Sequence, residues 1–214
     1  MADAAHNPCI YVLAGTNGAG KSSVAGAMFV QSGADYFNPD EAARRIQAVN
    51  PGISQVDANS AACHEGKRLL ERAVAEGLDF AFETTLGGRT IPALLRKALS
   101  VGIDVRIWYV GLRSADLHIA RVRSRAAGGG HDIPEDMVRA RYDQSRLNVI
   151  DLMPALTELL VHDNSEEANP RAGMTPEPLL ILHVARGKIV RACAPTVVPE
   201  WAKPILATAI RLTR

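Results

Sequence analysis

Three features of the sequence predict an α/β fold of three layers, a mostly parallel sheet with helices on both faces. Short apolar runs rich in β-branched and aromatic residues alternate with longer segments of helical period, the pattern of strands joined by crossover helices. The glycine-rich stretch "AGTNGAGKSS" (14–23) stands between the first such run and the first helical segment. The 214 residues suit one α/β domain with a sizeable core, or one domain plus a small appendage.

Cys9–Ala14 is a β-branched and aromatic apolar run and predicts a buried strand. Ser22–Gln31 predicts a helix closed by Gly33. Asp35–Asp40 predicts a short strand whose Asn38-Pro39 pair forces a turn. Glu41–Val49 is expected to be helical until Asn50-Pro51-Gly52 stops it. Asp57–Glu76 has a helical period with Ala61, Ala62, Leu69, Leu70 and Val74 on its apolar side, and Gly77 is its stop. "DFAFET" is the next strand, Ile91–Val101 the next helix, ended by Gly102, and Ile103–Leu112 a strong strand. Ser114 can cap a helix through Ala127, with Asp116 in its first turn. Gly128–Pro134 is a loop, and Pro134 suits the first position of a helix carrying "EDMVRARYDQSRLNVI". Glu158–Asp163 is a strand, Glu166–Pro178 a surface linker, and "LLILHVARGKIVRACA" a hairpin turning at Arg186-Gly187. A last helix is expected at Trp201–Leu212. The core is thus expected over 1–165, with 166–214 adding a linker, hairpin and helix to the same domain.

A hydrophobic content of 47% and a charged content of 22% are ordinary for a folded soluble chain. The net charge of +1 gives no general drive toward nucleic acid or an acidic membrane. Aromatic content of 5%, not interleaved with basic residues, also speaks against a long nucleic-acid groove. Cys9, Cys63 and Cys193 are odd in number and far apart, which predicts reduced thiols rather than a disulfide framework or a zinc site. With no secretory signal and no stretch long enough to span a bilayer, a cytoplasmic protein is expected.

In a parallel sheet, ligands collect at the carboxyl ends of the strands. That puts the loops Gly15–Ser22, Asn38–Asp40, Glu83–Gly88 and Asp163–Ser165 along one edge. The first fits the P-loop pattern, Gly15-Thr16-Asn17-Gly18-Ala19-Gly20-Lys21-Ser22, with a strand before it and a helix after it. Its glycines let backbone N–H groups turn inward around phosphate oxygens, and the helix N-terminus adds positive potential. Lys21 is expected on the β- and γ-phosphates and the Ser22 hydroxyl on Mg²⁺, with Ser23 at the edge of the cradle. The expected ligand is a nucleoside triphosphate.

A kinase also needs a group to orient or deprotonate the accepting hydroxyl. Asp40 is the candidate; its structural alternative is a plain N-cap for the helix over Glu41–Val49. Glu83 ends a strand beside Thr84 and Thr85. These three can hydrogen-bond a polar substrate, or the acid can hold Mg²⁺ through water; the alternative is capping of the helix near Thr90. Arg113, Arg121, Arg123, Arg125, Arg139, Arg141 and Arg146 crowd one helix–loop–helix stretch. Surface pairing accounts for most arginines in such a stretch. A helical lid at about 114–150 would use some of them on the transferring phosphoryl group, and Arg125 and Arg141 are the two chosen here. His131 is expected to anchor the loop, and the other histidines form no ligand pattern.

Taken together, "AGTNGAGKSS", "FNPDEAARRI", "FETTLGG" and "RAAGGGHDIPEDMVRARYDQSRLNV" resemble the zeta toxin family of P-loop kinases from about Tyr11 to Asn164. The resemblance implies ATP and Mg²⁺ as cofactors and phosphorylation of a sugar hydroxyl of UDP-N-acetylglucosamine, which starves cell-wall synthesis. It also implies the toxin of a pair, with a small antitoxin that blocks the nucleotide site. By motif, Lys21 and Ser22 would hold ATP and Mg²⁺, Asp40 would be the base, Glu83 and Thr84 would touch substrate, and Arg125 and Arg141 would be lid cations. Two other readings stay open: a P-loop kinase for another small acceptor (a nucleoside, an antibiotic or a different nucleotide sugar), and a nucleotide-binding switch without transfer activity. No N-K-x-D guanine signature supports a GTPase.

Overall fold

Every side chain of β1 (Cys9–Ala14) is buried, because the strand lies inside a seven-stranded sheet rather than at its edge. Ile10, Val12 and Ala14 belong to the larger apolar cluster and Cys9, Tyr11 and Leu13 to a second one. That alternation is the two-residue period of a strand, and it fills both faces of the sheet. The computed structural model describes residues 7–22, 24–25, 36–128, 132–166 and 177–213.

The other strands are β2 (Tyr36–Phe37), β3 (Phe80–Thr84), β4 (Asp104–Gly111), β5 (Glu158–Asp163), β6 (Leu179–Ala185) and β7 (Lys188–Ala192). Their spatial order is β2-β3-β1-β4-β5-β6-β7. The first five run parallel, and β6 and β7 are antiparallel additions at one side. The hairpin turns where expected, with Arg186 at φ 48° and Gly187 at φ 73°, the positive pair that a two-residue hairpin turn demands.

The helices whose bounds lie among the described residues include α1 (Pro39–Val49), α2 (Gln55–Glu76), α3 (Thr90–Ser100), α4 (Ala115–Ala127), α5 (Glu135–Leu152) and α6 (Lys203–Leu212). Leu70 of α2, Leu95 of α3, Val149 of α5 and Ile205 of α6 pack on one face of the sheet with Val12, Ile107 and Leu159. On the opposite face Val24 and Ala25 meet Tyr11, Trp108 and Val110. Ser22, Val24 and Ala25 are helical; the rest of the predicted helix over Ser22–Gln31 lies outside the described residues, as do His131 and most of the predicted linker.

Helix starts follow caps more closely than apolar period. α1 begins earlier than predicted because Asn38, not Asp40, is its N-cap: the Asn38 side-chain oxygen accepts from the Asp40 and Glu41 N–H groups, and Pro39 takes the first turn. α2 begins at Gln55 because Ser54 caps it through the Asp57 N–H. Ser114 caps α4 as expected. Pro134 precedes α5 at ψ 137° rather than opening it, because its extended backbone delays the helix to Glu135. Gly77 ends α2 in the left-handed conformation at φ 64°.

The carboxyl-terminal segment is joined to the sheet through β6, β7 and a buried tryptophan. A Cβ on Gly111 would lie 2.4 Å from the Trp201 ring, so the absence of a side chain at the end of β4 is what admits the indole. Its Nε1 donates to Asp163 at the end of β5 at 2.9 Å.

Candidate nucleotide and acceptor site

The phosphate loop leaves β1 through two close backbone approaches. Gly15 sits at φ 147° and Gly18 at φ 79°, and a Cβ there would lie 2.3 Å from the Val110 oxygen or 2.6 Å from the His118 oxygen. Only glycine fits either place. Lys21 is buried; its ammonium donates to the Gly15 carbonyl at 2.8 Å and lies 3.4 Å from Glu83. A buried cation inside a glycine loop fits a triphosphate, whose charge would replace those contacts. The Ser22 hydroxyl and the Glu83 carboxylate are hard oxygen donors of the kind Mg²⁺ takes. Among the described residues no group of three His, Cys, Asp or Glu could hold a metal by itself. Ser23 lies outside the described residues.

Distant elements grip this loop. Asn17 is held twice: its carbonyl accepts from His118 Nδ1 at 2.8 Å and its side-chain oxygen from Arg141 at 2.8 Å. The Thr16 hydroxyl donates to the Arg141 carbonyl, and Asn164 Nδ2 donates to the Ala19 carbonyl at 2.9 Å. Burial pushes His118 down to about 4, against the Asn17 hydrogen bond and with help from Lys21, Arg121 and Arg146. The ring is therefore neutral near pH 7 and carries its proton on Nδ1, since a carbonyl can only accept.

Asp40 lies in the first turn of α1, and Arg125 in the last turn of α4 lies 3.6 Å from it. Glu83 is the penultimate residue of β3 and accepts from the Tyr36 hydroxyl at 2.9 Å and from Asn38 Nδ2 at 3.4 Å. It does not cap α3, which has no side-chain cap. Burial, then the nearby Glu83 charge, push the Tyr36 phenol well up, so it remains a donor. The Thr84 and Thr85 hydroxyls accept from the Leu86 and Gly87 N–H groups and shape the next turn. Helix α5 holds that turn: Ser145 donates to the Thr85 carbonyl, and Asn148 to the carbonyls of Leu86 and Gly88.

These groups share one cavity of about 530 Å³, with Lys21, Asp40, Glu83, Thr84, Thr85, Arg125 and Arg141 on its polar side. Phe37, Phe82, Ile91, Ile133, Met137 and Cys63 supply the apolar wall. The arginines of α4 and α5 divide as their partners dictate. Arg123 pairs with Glu135, Arg139 with Asp116 and Arg146 with Asp143, while Arg125 and Arg141 reach the cavity. Sequence reasoning missed Tyr36, Asn38, Ser145, Asn148, Asn164 and His118. Asn38 alone carried a signal, a strong N-cap type directly before proline; the rest act through contacts across the fold.

A P-loop at the tip of the first strand, a central parallel sheet and a two-helix arm over a strand-end cavity define a nucleotide-binding fold of the kinase kind. The family described as Zeta toxin matches residues 2–168, so the chain belongs to the zeta toxin family. An uncharacterized protein of Haemophilus influenzae is 33% identical over 129 residues, 60% of this chain and 88% of that protein. Among solved structures, the AvrRxo1-ORF1:-ORF2 complex with ATP matches with a TM-score of 0.66 at 16% identity, covering 96% of this chain and 64% of that chain. This chain therefore spans less than two thirds of that matched chain. The PezAT chromosomal toxin-antitoxin system of Streptococcus pneumoniae matches at 0.54 and 13% identity, covering 76% of this chain and 70% of that chain. A putative kinase from Chloroflexus aurantiacus matches at 0.53 and 16% identity, covering 78% and 95% respectively. At such identities the structural likeness is one of fold. Family and fold together support a phosphotransferase of kinase type. Among the described residues no helix is long and apolar enough to cross a membrane.

Proposed function

We propose that the protein is an ATP-dependent kinase of zeta toxin type that transfers the γ-phosphoryl group to a hydroxyl of a nucleotide sugar such as UDP-N-acetylglucosamine. The observation that carries this reading is the facing of Asp40 and Arg125 in the cavity that Lys21 also lines. A carboxylate beside a cation is what transfer to a hydroxyl calls for, one group for the proton and one for the moving charge.

In this reading the backbone of Gly15–Ser23 and the Lys21 ammonium bind the phosphates. The Ser22 hydroxyl would hold Mg²⁺, which when bound would neutralise phosphate charge. Asp40 orients the acceptor hydroxyl and takes its proton as the new oxygen–phosphorus bond forms and the bond to the leaving ADP oxygen breaks. Arg125 and Arg141 bear the charge of the moving phosphoryl group. Glu83, Thr84 and Thr85 hold the acceptor, and the apolar wall excludes water that would compete with it.

The same reading makes 1–165 the kinase core, with its lid at about 114–150, and 166–214 the part that completes the domain. It also gives the protein a small antitoxin as partner and the cytoplasm as its location, where ATP and nucleotide sugars are found. Family membership supports the partner, as does the likeness to a chain of the PezAT toxin-antitoxin system.

The test is mass spectrometry of the protein incubated with ATP, Mg²⁺ and UDP-N-acetylglucosamine. A phosphate-mass gain on the sugar nucleotide, absent with Lys21→Ala, is the expected result. A gain confined to another compound of a metabolite extract would keep the kinase and replace the acceptor. ATP binding with no gain on any metabolite would sink the kinase reading.

A further inference from the structure

Asn38 stands between the two acids of the cavity and touches both sides. Its side-chain oxygen accepts from the backbone N–H of Asp40 at 2.9 Å and of Glu41 at 3.2 Å. Its amide nitrogen donates to Glu83 Oε2 at 3.4 Å. The chemistry decides which end is which, since two N–H donors require the oxygen and a carboxylate requires the nitrogen.

An N-cap needs only an acceptor, which Ser, Thr or Asp supplies as well as Asn. A second, donating end is what only Asn among the strong caps carries on a planar amide. That second end meets the carboxylate whose Oε1 faces Lys21 at 3.4 Å and whose Oε2 also takes the Tyr36 hydroxyl. Pro39 adds stiffness: Asn38 is held extended, at φ −110° and ψ 115°, the region that a following proline favours. One short, stiff side chain thus ties the start of α1, which carries Asp40, to the end of β3, which carries Glu83.

We propose that Asn38 is a positioning residue for phosphoryl transfer, fixing Asp40 and Glu83 relative to each other so that both address the acceptor in one geometry. This rests on the kinase reading of the site. Loss of the amide nitrogen leaves α1 capped but frees the Glu83 carboxylate to swing about its remaining partners, Tyr36 and Lys21.

Three variants separate this role from capping. Asn38→Ser and Asn38→Asp keep a cap and lose the amide N–H that reaches Glu83, the Ser hydroxyl being shorter and engaged as the cap; Asn38→Ala loses both. The readouts are melting temperature, ATP affinity by equilibrium binding, and kcat and KM for the acceptor that the mass spectrometry identifies. Expected are melting temperatures near wild type for the Ser and Asp variants and a lower one for Ala. In all three kcat falls by roughly tenfold to a hundredfold, while ATP affinity stays within about twofold. Asp, which sets a like charge against Glu83, is the most affected in turnover although it is among the best caps. Turnover restored to wild type by either cap-competent variant would reduce Asn38 to a helix cap and overturn the proposal. If Ser fails to fold, Asn38→Thr, an uncharged cap without the amide, carries the same comparison. A wild-type protein that transfers phosphate to nothing fails earlier and differently, sinking the kinase reading rather than the role of Asn38.

Discussion

The guanidinium of Arg125, at the end of α4, lies 3.6 Å from the carboxylate of Asp40, at the start of α1, with side-chain exposures of 43% and 54%. An ion pair that exposed adds little stability, since water and salt screen it. Its meaning is positional, because it sets a carboxylate and a cation side by side in the cavity. Asp40→Asn should therefore leave the fold unchanged within about 0.5 kcal/mol and lower kcat by roughly a hundredfold to ten-thousandfold. ATP should still raise the melting temperature of the variant. Turnover close to wild type would show that another group takes the proton.

His118 makes a prediction about acid. Its folded-state value of about 4 lies below the ordinary 6.5, so between those values the unfolded chain binds a proton that the native ring refuses. Stability from this site is complete above about pH 6.5, falls as the pH drops toward about 4, and is level below that. The span is worth on the order of 3 kcal/mol. Burial likewise pushes His162 down to about 4, so it adds a loss of the same sign. Urea unfolding of wild type and His118→Gln at about pH 7 and about pH 4.5 isolates the first share. The variant should lose less between the two. Equal losses would place the imidazole outside the linkage.

Gly87 and Gly88 form a matched pair. A Cβ on Gly87 would lie 2.8 Å from Arg141 Cγ and 3.1 Å from its Cα, whereas one on Gly88 would meet nothing within 4 Å. Backbone contact cannot be relieved by a rotamer change, so Gly87→Ala must shift α5 or the turn beneath it. It should cost about 1–3 kcal/mol and weaken ATP binding by moving Arg141 from Asn17. Gly88→Ala should be close to neutral in both denaturant midpoint and ATP titration.

Trp201 links the carboxyl-terminal segment to the nucleotide loop. Its indole N–H donates to Asp163, the neighbour of the Asn164 that holds Ala19. Trp201→Ala should cost about 3–5 kcal/mol and lower ATP affinity. Trp201→Phe keeps one aromatic ring but loses the hydrogen bond and leaves space over Gly111, so it should cost more than the roughly 1 kcal/mol of the hydrogen bond and less than the Ala variant. Unfolding and ATP titration of both variants check this, and unchanged ATP affinity in the Ala variant would separate the segment from the site.

What could be read from the residues in order was what neighbours in the chain decide. The P-loop is one strand, one turn and one helix start, and its glycines and Lys21 announce their use through spacing. Ser114 as a cap, Gly77 as a stop and Arg186-Gly187 as a hairpin turn are local in the same way, because each satisfies or bends backbone within a few residues. Asp40, Glu83, Arg125 and Arg141 were legible as candidates because strand ends and a helix–loop–helix stretch point them to one edge. Which arginines face the cavity was settled by packing: Arg123, Arg139 and Arg146 found acids on their own arm, and Arg125 met Asp40 on a different helix. His118 beneath Asn17, Asn38 against Glu83 and Trp201 over Gly111 join segments far apart in the chain. A sequence pattern carries the period of one element, while these contacts depend on how elements stack, so only the assembled sheet and its helices determine them.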